Sequence, residues 1–327
     1  MSHEVVVIQD GKKTNITPLI GSLAWSSNID ALGEELSFNF AYNDAAPFNQ
    51  YNMLQEGRIL ALFNQNKVLK HYVIVRISTS GRFGKSVTAY DFGWYLNKNK
   101  IVMQFKKASI SDAIRKMCDK VGIKHSIAAI PTLVTKIYKE EAISDVISDL
   151  LEQAKQETGT QYRMEMVDQT LTIRKQSDLV INPMIMLADN SGQFPASSAV
   201  SNASRTTSIE EMKNKVVVVT SEESTKVFAE ASDQAGIKKY GLLTETVSLE
   251  AKNKAQARNI AKNTLKDLNR ITEEISLDML GSDEIRAGRL IDINEPVTGI
   301  KGRYLITSAN HSEANGIHRV TVQLGGI

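Results

Sequence analysis

The sequence predicts an α+β protein, mostly β, in which two β-rich regions flank a helix–helix–hairpin unit. Three observations predict it. Apolar residues alternate with polar ones over the first third of the chain. From about Ile101 the spacing becomes helical, and beyond Ile275 it alternates again. A length of 327 residues favours two or three domains over one, and 42% hydrophobic against 23% charged residues is enough apolar material for real cores.

The first region, 1–100, reads as a small antiparallel β-domain. Val5-Val6-Val7-Ile8 runs into the turn signal Asp10-Gly11. Leu36, Phe38 and Phe40 alternate with Glu35, Ser37 and Asn39, as a half-buried strand requires. Arg58 to Phe63 and Val68 to Ile77 flank Asn64-Gln65-Asn66-Lys67, which predicts a hairpin. Val87, Ala89 and the segment Tyr90 to Tyr95 follow the turn at Gly81 to Gly84 and close the domain.

The second region, 101–188, changes period. Ser109 or Ser111 can cap a helix with the stripe Ile110, Ile114, Met117, Cys118 and Val121, ended by Gly122. A second helix carries Ile143, Val146, Ile147, Leu150, Leu151 and Ala154, with Gly159 past its end and Glu140-Glu141 at its start, where carboxylates suit the helix dipole. Tyr162, Met164 and Met166, the turn Asp168-Gln169, then Leu171 and Ile173 predict a hairpin. Residues 189–208, dense in Ser, Asn, Thr and Ala around Pro195, predict a polar surface linker, with assembly-dependent ordering as the alternative. In the last region, 209–327, strand Val216 to Thr220 precedes a helix from about Ala251 to Leu268. Strands follow at Ile275 to Met279, Leu290 to Ile293, Tyr304 to Thr307 and Ile317 to Leu324. This is a second β-rich domain with one packed helix.

Charge and motif content argue against most chemistry. With 39 basic and 37 acidic residues interspersed, the net charge is only +2, unlike a dedicated nucleic-acid binder. The densest basic stretch, Lys98, Lys100, Lys106 and Lys107, reads as a solvated face rather than a polyanion site. Cys118 is the only cysteine, so neither an intrachain disulfide nor a thiolate cluster is available, and it lies in a core stripe. Met1-Ser2-His3-Glu4 lacks the basic and apolar regions of a secretory signal, and the longest apolar runs, such as Val216 to Val219, are too short to span a bilayer.

Gly84-Lys85-Ser86 looks like the end of a P-loop. The earlier glycine is replaced by Thr79, however, and Val87-Thr88-Ala89 reads as strand, so a hairpin turn is preferred. The histidines His3, His71, His125, His311 and His318 show no HExxH or HxH spacing. His311 and His318, around Asn315-Gly316, read as cross-strand neighbours rather than ligands. There is no GxSxG elbow, and a glycosidase pair cannot be picked from 37 acidic residues. Trp25, Trp94 and Tyr95 read as core or interdomain packing rather than ligand stacking. No catalytic, cofactor-binding or metal-binding residue is assigned, and no cofactor is expected.

Three segments resemble the PBSX-type prophage tail family, the YqbQ/XkdQ group. They are Tyr90-Asp91-Phe92-Gly93-Trp94-Tyr95-Leu96-Asn97-Lys98-Asn99, then Ser208 to Val216 (SIEEMKNKV). The third is the C-terminal run from Ile285-Arg286-Ala287-Gly288-Arg289 through Gly302-Arg303-Tyr304-Leu305-Ile306 to His311 and His318. The middle region is similar to late-control and spike-hub proteins, through Ser109 to Gly122 and Tyr138 to Ile173. The resemblance implies tube-like β-barrels at both ends of the chain. It also implies a structural, non-enzymatic baseplate hub subunit of a contractile tail or injection particle, phage, prophage or bacteriocin. A homotrimer would join a sixfold tail tube protein to a trimeric spike protein beside other baseplate proteins, with neither membrane insertion nor specific nucleic acid. Assembly would take place in the bacterial host cytoplasm, and the product would be a virion or released tail-like particle. The alternatives are a tail-associated peptidoglycan hydrolase and a cell-wall-binding module. No attached lysozyme or glycan-binding domain is expected.

Overall fold

In a computed structural model, residues 3–41, 53–81, 84–185, 192–220 and 226–326 are described. The N-terminal region forms β1 (His3–Gln9), β2 (Lys12–Asn15), β3 (Ile20–Asn28), β4 (Glu35–Ala41), β5 (Ile59–Asn64), β6 (Lys67–Thr79) and β7 (Gly84–Tyr90). The alternation read in the sequence becomes the core: Leu36, Phe38 and Phe40 point inward with Val5, Leu60, Leu62 and Ile74. The turns at Asp10-Gly11 and Gln65-Asn66 have positive φ at both central residues, the twist that tight hairpins require. Gly84-Lys85-Ser86 lies in β7, as the strand reading of Val87-Thr88-Ala89 implied.

The middle unit comprises α1 (Gly93–Lys98), β8 (Lys100–Ser109), α2 (Ile110–Lys120), β9 (Lys124–Ile127), β10 (Leu133–Ala142), α3 (Ile143–Thr158), β11 (Tyr162–Val167) and β12 (Thr170–Lys175). Ser109 caps α2 by accepting a hydrogen bond from the Asp112 amide, and Gly159 ends α3 in the left-handed conformation. The helical stripes, Ile110, Ile114, Met117 and Cys118 on one helix and Ile143, Val146, Ile147 and Leu150 on the other, are fully buried against each other and against Phe105 and Tyr138. Two expectations fail here. Tyr90 to Tyr95 leads into a short helix, not more strand. Glu140 and Glu141 end β10 instead of opening α3, because the register shifts between Lys139 and Glu141 and Glu140 takes a positive φ.

The remaining elements are β13 (Val180–Ile181), β14 (Met184–Ile185), β15 (Phe194–Pro195), β16 (Val200–Ser208), β17 (Lys215–Thr220), β18 (Val227–Ser232), α4 (Gln234–Tyr240), β19 (Thr244–Leu249), α5 (Ala257–Leu268), β20 (Thr272–Leu280), β21 (Leu290–Glu295), β22 (Ile300–Ala314) and β23 (Ile317–Gly325). The polar stretch expected as a linker over 189–208 is therefore corrected: residues 200–208 are strand β16, antiparallel to β20, while 189–191 lie outside the described residues. Its polar composition suits a strand at a sheet edge with most side chains in water. The predicted helix also packs differently. Ala257, Ile260 and Ala261 cover Val216 and Val218 of a separate three-stranded sheet, β18-β17-β19, rather than the last β-domain itself.

One 13-stranded sheet joins the two ends of the chain, in the order β16-β20-β23-β22-β3-β4-β7-β6-β5-β1-β2, with β21 beside β22 and β13 beside β21. The joint is β3 against β22, antiparallel from Ser308↔Asn28 to Glu313↔Leu23. The two closed barrels implied by the family resemblance are not what these pairings form. β3 and β22 use their edges on each other, and among the described residues the sheet stays open from β16 to β2.

Candidate functional site

The β3–β22 seam carries a buried polar cluster. Trp25 on β3 sits opposite His311 on β22, and the rings stack with centroids 4.9 Å apart and planes 4° from parallel. His311 Nε2 lies 2.6 Å from the Ile285 carbonyl, which can only accept, so we assign that nitrogen its proton. Burial holds His311 down at about 4, so the ring is neutral and its Nδ1 accepts from His318 Nε2 at 2.8 Å. His318 is likewise pushed down to about 3, by burial and by the neighbouring His311 and His3.

His3 behaves oppositely. Burial lowers it, but hydrogen bonds to Asp283 and Glu313 outweigh this and raise it to about 9. Its Nδ1 meets Glu313 Oε2 at 2.7 Å and its Nε2 meets Asp283 Oδ1 at 2.8 Å, an imidazolium between two carboxylates. Asn64 donates to the second Asp283 oxygen at 2.7 Å. First strand, last hairpin and the loop after β20 thus meet at one point.

Two further ionic clusters are present: the first lies within the N-terminal region, and the second ties the middle unit to the C-terminal region. Lys70 Nζ lies 2.8 Å from Glu34 and 3.0 Å from Asp91. Burial raises the Asp91 carboxyl against the pull of Lys70. Glu165 on β11 accepts from Arg289 at 2.7 Å and from Arg174 at 2.5 Å. Arg163 donates to the Ile29 and Asn28 carbonyls, and Gln176 to that of Gly288. The arrangement fixes three parts of the chain in one orientation, and it places no activated nucleophile beside a base.

The residues weighed in the sequence fall as follows. Cys118 is buried, and burial pushes its thiol up to about 12, which makes it unreactive. His71 pairs with Asp168 and His125 with Asp119, both pairs with exposed carboxylates. Trp94 packs edge-on against Tyr95 in α1, and Lys98, Lys100, Lys106 and Lys107 are all exposed. His311 and His318 are diagonal cross-strand neighbours: His318 stands opposite Glu313, and His311 opposite Val320. The approach of His3 and Asp283 to this pair had no local signal in the sequence. Among the described residues, β2 and β16 end the main path of the large sheet, and the outward face of the β8–β10 ribbon is exposed. On that face Val102, Leu133 and Ile137 are 63%, 60% and 52% exposed. No helix among the described residues is long and apolar enough to cross a membrane.

A model of the YqbQ-like family matches residues 23–325, from the seam strand to the end of the last hairpin. The chain belongs to the YqbQ-like family. A YqbQ protein of Bacillus subtilis is 28% identical over 72% of each chain. The phage-like element PBSX protein XkdQ of the same organism is 24% identical over 84% of this chain and 82% of its own. The fold of this YqbQ-like chain is also that of a 43 kDa tail protein of prophage MuSo2 from Shewanella oneidensis. The TM-score is 0.71 at 13% identity, over 99% of this chain and 98% of the other.

Proposed function

We propose that the chain is a structural, non-enzymatic baseplate hub subunit of a contractile phage tail or tail-like particle. It would assemble as a homotrimer between the tail tube protein and the trimeric spike protein, in contact with other baseplate proteins. The observation that carries this reading is the seam. The two β-rich ends lie side by side in one sheet through β3 and β22, so each subunit presents two β units to a ring rather than one. The edges β16 and β2, unpaired on their outer side among the described residues, suit closure against neighbours, since a cyclic assembly covers strand edges that would otherwise invite uncontrolled pairing. The family membership and the kinship with XkdQ support a tail role. In this reading residues 1–100 and 209–327, together with strand β16 over 200–208, supply the ring, and 101–188 is the inserted unit. The protein is made in the host cytoplasm and ends in the particle.

Purified full-length chain, alone and mixed with its tube and spike proteins, is expected to give rings with the mass of three subunits in native mass spectrometry and electron microscopy. A strictly monomeric mass in both settings overturns the proposal. A cell-wall zymogram of the purified chain is expected to show no clearing.

A further inference from the structure

We propose that His3, Asp283 and His318 form a binding site for one divalent transition-metal ion of the zinc type, clipping the first strand to the last hairpin. The inference is independent of the assembly role. One donor atom from each of the three side chains lies within 4.8 Å of the others, although the residues come from β1, the loop after β20, and β23. Two imidazoles and a carboxylate are a borderline donor set suited to zinc, and less suited to calcium or magnesium, which prefer oxygen. Tetrahedral ligands about 2.0 Å from an ion stand about 3.3 Å apart. The His3–Asp283 pair at 2.8 Å therefore opens slightly, and the longer separations close.

The surroundings are those of a ligand set held in place from behind. His3 Nδ1 is hydrogen-bonded to Glu313 at 2.7 Å, which leaves Nε2 to face Asp283. His318 Nε2 is committed to His311, itself anchored on the Ile285 carbonyl, which leaves Nδ1 as the nitrogen with a lone pair. Asp283 Oδ2 is held by Asn64 at 2.7 Å, which leaves Oδ1. Each proposed ligand thus has a separate outer partner that fixes its orientation, the arrangement that supports metal-bound histidines and carboxylates elsewhere. Gly281 makes the room: a Cβ there would stand 2.2 Å from the His318 ring.

Without metal, the proton on His3 Nε2 bridges to Asp283. Entry of the ion releases that proton to solvent and forms bonds to His3 Nε2, His318 Nδ1 and Asp283 Oδ1, with water completing the shell. The competing reading is a purely ionic Asp283–His3–Glu313 bridge that never takes metal.

Full-length protein, stripped with chelator, is to be titrated with Zn²⁺ by calorimetry and with Co²⁺ by visible and NMR spectroscopy. The expected result is one ion per chain with about one proton released. The Co²⁺ form should show two strongly shifted exchangeable N–H signals, from His3 Nδ1 and His318 Nε2. Asp283→Asn and His318→Phe should abolish stoichiometric uptake, and Glu313→Gln should weaken it by about 10- to 100-fold. His71→Ala and His125→Ala should leave uptake unchanged. Absence of uptake by the wild-type chain overturns the proposal, as does uptake that survives Asp283→Asn or is lost in His71→Ala or His125→Ala. If the seam variants fail to fold, the wild-type Co²⁺ spectrum decides alone: anything other than two shifted N–H signals overturns it.

Discussion

In the sequence, Glu165 is only an acidic residue between Met164 and Met166 on an alternating strand. In the fold it is the anion on which Arg174 and Arg289 converge, with the Arg286 guanidinium 3.8 Å away. Burial alone would raise its carboxyl. The charges of Arg286 and Arg289 and the hydrogen bonds from Arg174 and Arg289 outweigh this and hold it at about 2, below its ordinary 4.5. Because the folded value lies below the unfolded one, this contribution to stability is present above pH 4.5 and is lost as the pH falls towards 2. Glu165→Gln leaves the buried Arg289 without its anion, and the expected loss is about 3–5 kcal/mol at neutral pH. Urea midpoints measured down to acid pH should fall for the wild type over that window and stay flatter for the variant. Parallel curves would remove Glu165 from the account. Nothing near Glu165 in the sequence announces this role, since Arg286 and Arg289 arrive from another region of the chain.

Among the elements, legibility follows the local backbone. The β22–β23 hairpin was readable because Asn315-Gly316 supplies two residues that accept positive φ, and both adopt it, at 54° and 78°. Gly316→Val puts a β-branched side chain into that conformation, and the expected cost is about 1–2 kcal/mol, seen as a lower denaturation midpoint. An unchanged midpoint would mean that the turn can be rebuilt without strain. Helix α2 was readable from stripe, cap and closing glycine, and α3 from its stripe and closing glycine alone. Strands β8 and β10 were not. Register shifts between Val134 and Lys136 and between Lys139 and Glu141 break their alternation, and their outward face carries exposed Val102, Leu133 and Ile137 as well as charges. Strand β16 was hidden for the opposite reason: apart from Val200 and Ala203 it is polar, as an edge strand can be.

Over the whole molecule, the seam makes one sheet of two regions that the sequence presents as separate. Ser26 lies inside β3, between Glu35 of β4 and Asn310 of β22. Ser26→Pro removes a ladder hydrogen bond from a central strand, where proline has no place. The expected result is loss of amide-exchange protection in β3 and in β22 together, although they lie far apart in sequence. Loss confined to β3 would show that the two halves are stabilised separately.

What the sequence determined by itself was the run of β, α+β and β, the two capped helices of the middle unit and the tight hairpin turns. Each depends on side-chain periodicity or on φ preferences within a few residues. Only the tertiary structure decided that the sheet stays open, that β3 pairs with β22, and that His3 meets Glu313 across a separation of 310 positions. Strand alternation says which face of a strand is buried but not which neighbour its edge will take. That choice rests on burial and hydrogen bonding between distant segments, weighed against the entropy of closing the chain between them.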